Sequence, residues 1–214
     1  MLPRPFDLVP WLLGGALLTI EVTLLTIPLC VLISVVVGLA RLSRFAVVRF
    51  IATVYVEVIR GTSALVQLFI IFFVLPFLGV TLPPLVAAVL GLGLNFGAYM
   101  SEVVRAGILS VDVGQREAAI ALNMPPGLTM RHIIFPQAWK VILPAFGNFF
   151  IELFKATSLV SLVAVPELVF SAKVAVDRTF RITETFALVA LFYFLMTFPA
   201  SRGVRLLERR LTGK

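Results

Sequence analysis

Residues 61–101 read GTSALVQLFIIFFVLPFLGVTLPPLVAAVLGLGLNFGAYMS, and no charged side chain occurs between Arg60 and Glu102. A helix crossing a hydrocarbon core about 30 Å thick needs about 20 residues, so the run holds roughly two crossings. Pro76, Gly79, Pro83 and Pro84 fall in its middle, where proline cannot continue one helix but suits the first turn of the next. The stretch reads as two membrane helices joined by a short hairpin loop. It sets the fold class: an all-α polytopic membrane protein.

Working outward gives five spans, at about 11–40, 50–76, 84–108, 139–165 and 185–206, in one transmembrane domain over residues 1–214. A polar loop at about 109–138 separates the third span from the fourth. Composition agrees, because 60% hydrophobic residues and a mean hydropathy of +1.08 exceed what a globular core accommodates. The +7 net charge would suggest nucleic acid in a soluble chain. No basic stripe interleaved with exposed aromatics is present, so no nucleic-acid partner is expected. Residues 1–10, with one Arg, one Asp and three prolines, make a poor basic region for a cleaved signal, and the first span is read as retained. Cys30 stands alone in an apolar run as a small core residue, which excludes a disulfide framework or a cysteine-rich metal site. No metal ligand set is expected.

The cations sort by side. With the N-terminus outside, the inner side collects Arg41, Arg44, Arg49, Arg105, Arg116, Arg131, Lys140, Arg202, Arg205, Arg209, Arg210 and Lys214, against Arg4, Lys173, Arg178 and Arg181 outside. Twelve against four is a strong positive-inside bias, which places the 109–138 loop and the C-terminus in the cytoplasm. Gly93, Gly97 and Ser101 form a small-residue ridge that permits close helix packing. Pro28 and Pro199 are candidate kinks.

Charges at bilayer depth cost about 2.5 to 3.5 kcal/mol each, so they face a protein interior or a wet cavity. Glu57/Arg60, Glu102/Arg105 and Glu152/Lys155 each set a base three residues after an acid, on one helix face. Glu21, Glu57, Arg60, Asn95, Glu152 and Lys155 fall near mid-depth, and Glu102 and Arg105 nearer the cytoplasmic end. Each pair alone reads equally as a staple between helices. As a set they suggest a polar path for a solute carrying both charges.

In the polar loop, Gln115 to Leu122 reads as a short helix, Asn123 as its stop and Pro126 to Ile134 as a second helix. Ala118 and Ala119 leave one face without bulk for a partner's approach. Gln115, Arg116 and Glu117 would fix the register by hydrogen bonds and charge.

These residues carry a resemblance. Glu117-Ala118-Ala119, Ile133-Ile134 and Pro136-Gln137-Ala138 stand where a Glu-Ala-Ala loop has its landmarks. They are joined by Val56-Glu57-Val58-Ile59-Arg60-Gly61-Thr62, Gly97-Ala98-Tyr99 with Glu102 and Arg105, Leu143-Pro144 with Gly147-Asn148, Lys155 with Thr157-Ser158-Leu159, and the closing Leu207-Glu208-Arg209-Arg210. Over nearly its whole length the chain resembles the integral membrane permease subunits of polar amino-acid ABC importers, the type I importers. It departs from that pattern at Asn123 for the turn glycine, Ser63 for proline, Phe135 for leucine, Phe149 for a polar residue and Ala156 for aspartate.

The resemblance implies a non-catalytic subunit of the bacterial cytoplasmic (inner) membrane that forms the path for a polar amino acid or related zwitterion. It implies a pair of such permeases, either two copies or one with a sister permease, and an extracytoplasmic substrate-binding protein. It also implies an ABC ATPase dimer whose clefts receive the loops. No Gly-x-x-x-x-Gly-Lys-Ser/Thr phosphate loop occurs in the sequence, so this chain is expected to bind no cofactor, and ATP is expected to be used by the partner subunit. The alternative, an ion-coupled secondary transporter or channel, fits poorly with five spans lacking an evident inverted repeat. An intramembrane enzyme fits poorly with one histidine, His132, and with no Gly-x-Ser-x-Gly or His-Glu-x-x-His.

Overall fold

The computed structural model describes residues 4–212; Lys214, counted above with the inner cations, lies outside them. Among the described residues the regular structure is helical throughout. Four helices are long and apolar enough to cross a membrane, and a bent helix pair makes a fifth candidate.

Helix α1 (Val9–Ala40) starts with Pro10 in its first turn and buries Thr19, Thr23 and Thr26. Their hydroxyls donate to the carbonyls of Gly15, Thr19 and Val22, four residues back, which satisfies them within the helix. The segment expected to form one span at 50–76 is broken: the chain forms α2 (Ala46–Arg60) and α3 (Ala64–Phe69), with the helical segments on either side of the break bent by 103°. The joint Gly61-Thr62-Ser63 has no proline. Gln67 holds it closed: its Nε2 donates to the Ile59 carbonyl at 2.7 Å and to Thr62 Oγ1 at 2.7 Å, taking up backbone and hydroxyl groups that the break frees.

After α3, a π-helical turn (Ile70–Val74) and a 3-10 turn (Leu75–Leu78) end at Gly79, φ +85°, a conformation that favours glycine. Pro84 then opens α4 (Pro84–Leu109), so the hairpin lies where the prolines suggested. Helix α4 is the central pillar, with more of its length buried than any other candidate span. It packs side by side on α1 through small residues: a Cβ at Gly97 would stand 2.7 Å from Ile33 Cγ2, and one at Gly38 would stand 2.9 Å from the Ser101 carbonyl oxygen. Lipid supplies no hydrophobic drive for this contact, so close packing must hold it.

Helix α5 (Val113–Ala121) is capped by Asp112, whose Oδ1 accepts from the Gly114 amide at 2.7 Å, and it stops before Asn123, φ +52°. The next helix is not the separate short element expected at 126–134. Helix α6 (Pro126–Thr129) passes through a π turn (Met130–Ile134) directly into α7 (Phe135–Ala156), which a 3-10 stretch prolongs to Val163. The π turn sits just before Pro136, whose missing N–H leaves an α-helical ladder incomplete there.

The chain between the last two spans, to which the sequence assigns no element, contains α8 (Leu168–Thr179). Glu167, fully buried, caps it by accepting from the Phe170 amide at 2.9 Å and also receives the Tyr193 hydroxyl at 3.3 Å. Helix α9 (Ile182–Thr212) closes the fold. The core has two parts. One joins α1, α4 and α7 around Met100, Ile142 and Phe146, and the other joins α1, α8 and α9 around Leu12, Leu168 and Leu188. Arg181 ties the chain's start to α9, donating to Asp7 Oδ2 at 2.7 Å and to Glu184; those two carboxylates hold its proton more firmly than usual.

Candidate functional site

The polar residues gather differently from the three intrahelical pairs the spacing suggested. Only Glu102/Arg105 forms, with Nε to Oε2 at 3.1 Å. Glu102 also receives Arg41 from the end of α1, and Arg60 from the end of α2 at 3.3 Å. Arg60 thus leaves Glu57 for Glu102 and lies 5.3 Å over the Tyr99 ring. Among the described residues, Glu57, Glu152, Lys155 and Glu21 are exposed and make no ion pair. The physical reason is magnitude: an i,i+3 pair contributes about 0.2 to 0.5 kcal/mol, too little to outweigh a carboxylate where three helix segments converge.

Asn95 is buried, and its Nδ2 donates to Gln67 Oε1 at 3.1 Å. It therefore belongs to the same network that closes the α2–α3 joint. Gln67, invisible to a search for charges, is the site residue the sequence reading missed. Beside this network, α3, α4 and α7 enclose a shallow cavity of about 240 Å³ lined by Ala64, Asn95, Phe96, Tyr99, Phe149, Glu152 and Ala156. Of the six residues expected near mid-depth, the structure brings Asn95 and Glu152 into this cavity, while Arg60 sits level with Arg41 and Glu102, nearer the end of α1, and reaches the cavity's edge through Tyr99. Glu21, Glu57 and Lys155 lie outside it. Phe149 and Ala156, two of the departures from the permease pattern, both line its wall.

The second part of the site is α5. Ala119 is fully buried, whereas Gln115, Glu117 and Ala118 are exposed. Gln115 faces its own chain, its Oε1 accepting from Gln137 Nε2 at 3.4 Å. Arg116, expected to point toward a partner, also turns inward: its Nη2 donates to the Ile108 carbonyl at 3.0 Å. That carbonyl is in the last turn of α4, where a cation is favoured. What α5 leaves outward is an apolar strip the sequence reading overlooked. Val113 and Ile120 are 65% and 71% exposed, with Glu117 between them. Val113, Glu117 and Ile120 share a face by their spacing.

The family described as "Binding-protein-dependent transport system inner membrane component" matches residues 30–213. The L-cystine transport system permease protein TcyB of Bacillus subtilis is 41% identical over 213 residues, covering 97% of this chain and 91% of its own. The glutamine transport system permease protein GlnP of Escherichia coli is 36% identical over 205 residues, covering 95% and 94%. A crystal structure of an amino acid ABC transporter with histidines superposes at a TM-score of 0.91 with 38% identity, covering 98% of this chain and all of that one. An inward-facing MetNI methionine ABC transporter, at 18% identity and TM-score 0.72, shares the fold.

Proposed function

Since the chain belongs to the binding-protein-dependent transport system inner membrane component family, we propose that it is the permease subunit of an ATP-driven importer for a polar amino acid or related zwitterion. The observation that carries this reading is the construction of α5. It presents an exposed apolar strip with one carboxylate to the outside, while Arg116 straps it to the end of α4, the helix that contributes Asn95 and Tyr99 to the polar cavity.

In this reading α5 docks in the cleft of a separate ABC ATPase subunit through Val113, Glu117 and Ile120, with Gln115, Ala118, Ala119 and Asn123 shaping the helix and its turn. Closure of the ATPase pair on ATP draws the docked helices together. Force passes along the Arg116 strap into α4 and along the unbroken helix from Pro126 into α7. The walls of the cavity lie on these two helices, so their shift changes which side the cavity faces. This is a two-state element biased by a ligand held elsewhere. A zwitterion finds Glu152 for its ammonium, Asn95 for hydrogen bonds, and Arg60 toward its carboxylate. This chain supplies the path and takes no part in hydrolysis.

Exposure supports a paired permease. Glu21, Glu57, Glu152 and Lys155 cannot face hydrocarbon at about 2.5 to 3.5 kcal/mol each, so a second copy or a sister permease covers them and leaves a wet path between. The N-terminus lies outside, α5 and the C-terminus in the cytoplasm of a bacterium, and a substrate-binding protein delivers solute from the opposite side. The test is uptake into proteoliposomes by the permease with its ATPase and binding protein. Accumulation should require ATP and both partners. Accumulation driven by an ion gradient alone would favour the secondary-transporter alternative.

A further inference from the structure

Helix α9 has two faces. On one, Val204 closes against Gly147 of α7, leaving no room for a Cβ there. On the other, residues spaced by fours and threes form a continuous strip. Leu191, Leu195 and Phe198 are exposed along the membrane part, and Arg202, Arg205 and Arg209 are exposed just beyond it. The Arg202 guanidinium lies 5.0 Å from the centre of the Phe198 ring. Arg202, Arg205, Leu206 and Arg209 line an open surface cleft of about 230 Å³. The segment 202–210 carries four arginines and one carboxylate, Glu208.

We infer that this cleft binds the phosphodiester headgroup of an anionic phospholipid whose acyl chains lie along Leu191, Leu195 and Phe198. The apolar strip leads without interruption into the cationic pocket, and a lipid joins those two chemistries in one molecule, as a soluble phosphate does not. Guanidinium forks match phosphate oxygens two at a time, and stacking on Phe198 holds one fork in place beforehand. Topology alone requires cations somewhere on one side; it does not require them to share a face and line a cleft. The inference rests on the membrane placement of α9 given above and is independent of how α5 docks.

The test uses the full-length permease, purified with whatever partners it retains, in phosphatidylcholine nanodiscs doped with phosphatidylglycerol. Lipids that survive extraction are identified by native mass spectrometry. Phosphatidylglycerol should be enriched over phosphatidylcholine. A charge-assisted contact to the phosphate contributes about tenfold, so Arg209→Gln should lower the enrichment by about that factor. The triple change of Arg202, Arg205 and Arg209 to Gln should abolish it, and Arg44→Gln should leave it unchanged. Equal retention of the two lipids by the unmodified protein overturns the inference, and that comparison needs no variant to fold. Release of phosphatidylglycerol by inorganic phosphate would assign the pocket to free anions and overturn it too. So would loss of a co-purifying ATPase subunit from the triple variant with enrichment intact, which would make these arginines a protein contact. No uptake is read, so failure here leaves the transport reading standing, and failure of ATP-driven uptake leaves the lipid result standing.

Discussion

One carboxylate, Glu102, answers the guanidinium groups of Arg41, Arg60 and Arg105. Arg41 is the most enclosed of the three, with 11% of its side chain exposed against 41% for Arg60. Removing a shared anion from a partly enclosed cluster leaves the enclosed Arg41 without its partner, a loss of about 1 to 3 kcal/mol, whereas an exposed pair contributes about 1 kcal/mol or less. Glu102→Gln should therefore lower the thermal midpoint of the purified permease sharply and Arg60→Gln only slightly; equal shifts would show that the cluster is not centred on Glu102. The sequence placed Glu102 and Arg105 together correctly because their spacing is local. It misdirected Arg60 and Arg116, since the Glu102 carboxylate and the Ile108 carbonyl are brought to them by tertiary packing that no local spacing encodes.

Between elements, contact depends on missing side chains. A methyl group at Gly38 would meet Val104 Cβ at 2.8 Å and the Ser101 carbonyl oxygen at 2.9 Å, while one at Gly14 would meet nothing within 4 Å. Overpacking of this kind costs about 1 to 3 kcal/mol, so Gly38→Ala should destabilise the purified permease and Gly14→Ala should not. A neutral Gly38→Ala would mean that α1 and α4 pack less closely than described. The hairpin before α4 was legible because Pro76, Gly79, Pro83 and Pro84 announce it in their own conformational limits. The 103° break after Arg60 was not, because Gly61-Thr62-Ser63 becomes a stable joint only when Gln67 reaches back to the Ile59 carbonyl. Gln67→Leu should loosen that joint and free Asn95, and protease sensitivity near residue 61 should rise. Unchanged sensitivity would mean the break is held by packing alone. Helix α8 escaped notice for a related reason: its apolar side has meaning only against Leu12 of α1 and Leu188 of α9.

At the scale of the molecule, a single copy presents a surface that lipid alone does not suit. Phe50, Phe73 and Leu32 are at home in hydrocarbon, but Glu21, Glu57, Glu152 and Lys155 are exposed on the same chain. The pairing with a second permease proposed above would reconcile the two. Neutralising Glu152 or Lys155 should then weaken uptake while the protein still inserts at normal yield; a change confined to yield would make these residues structural. Family and fold were readable from motifs in order along the chain, while the exposed apolar face of Val113 and Ile120 emerged only once α5 had an inside and an outside. In the proposed mechanism that helix is the handle through which a separate ATPase drives the path. In proteoliposomes holding the permease, its ATPase and its binding protein, Glu117→Lys should abolish ATP-dependent uptake while membrane insertion stays intact, and uphill uptake at the unmodified rate would contradict it.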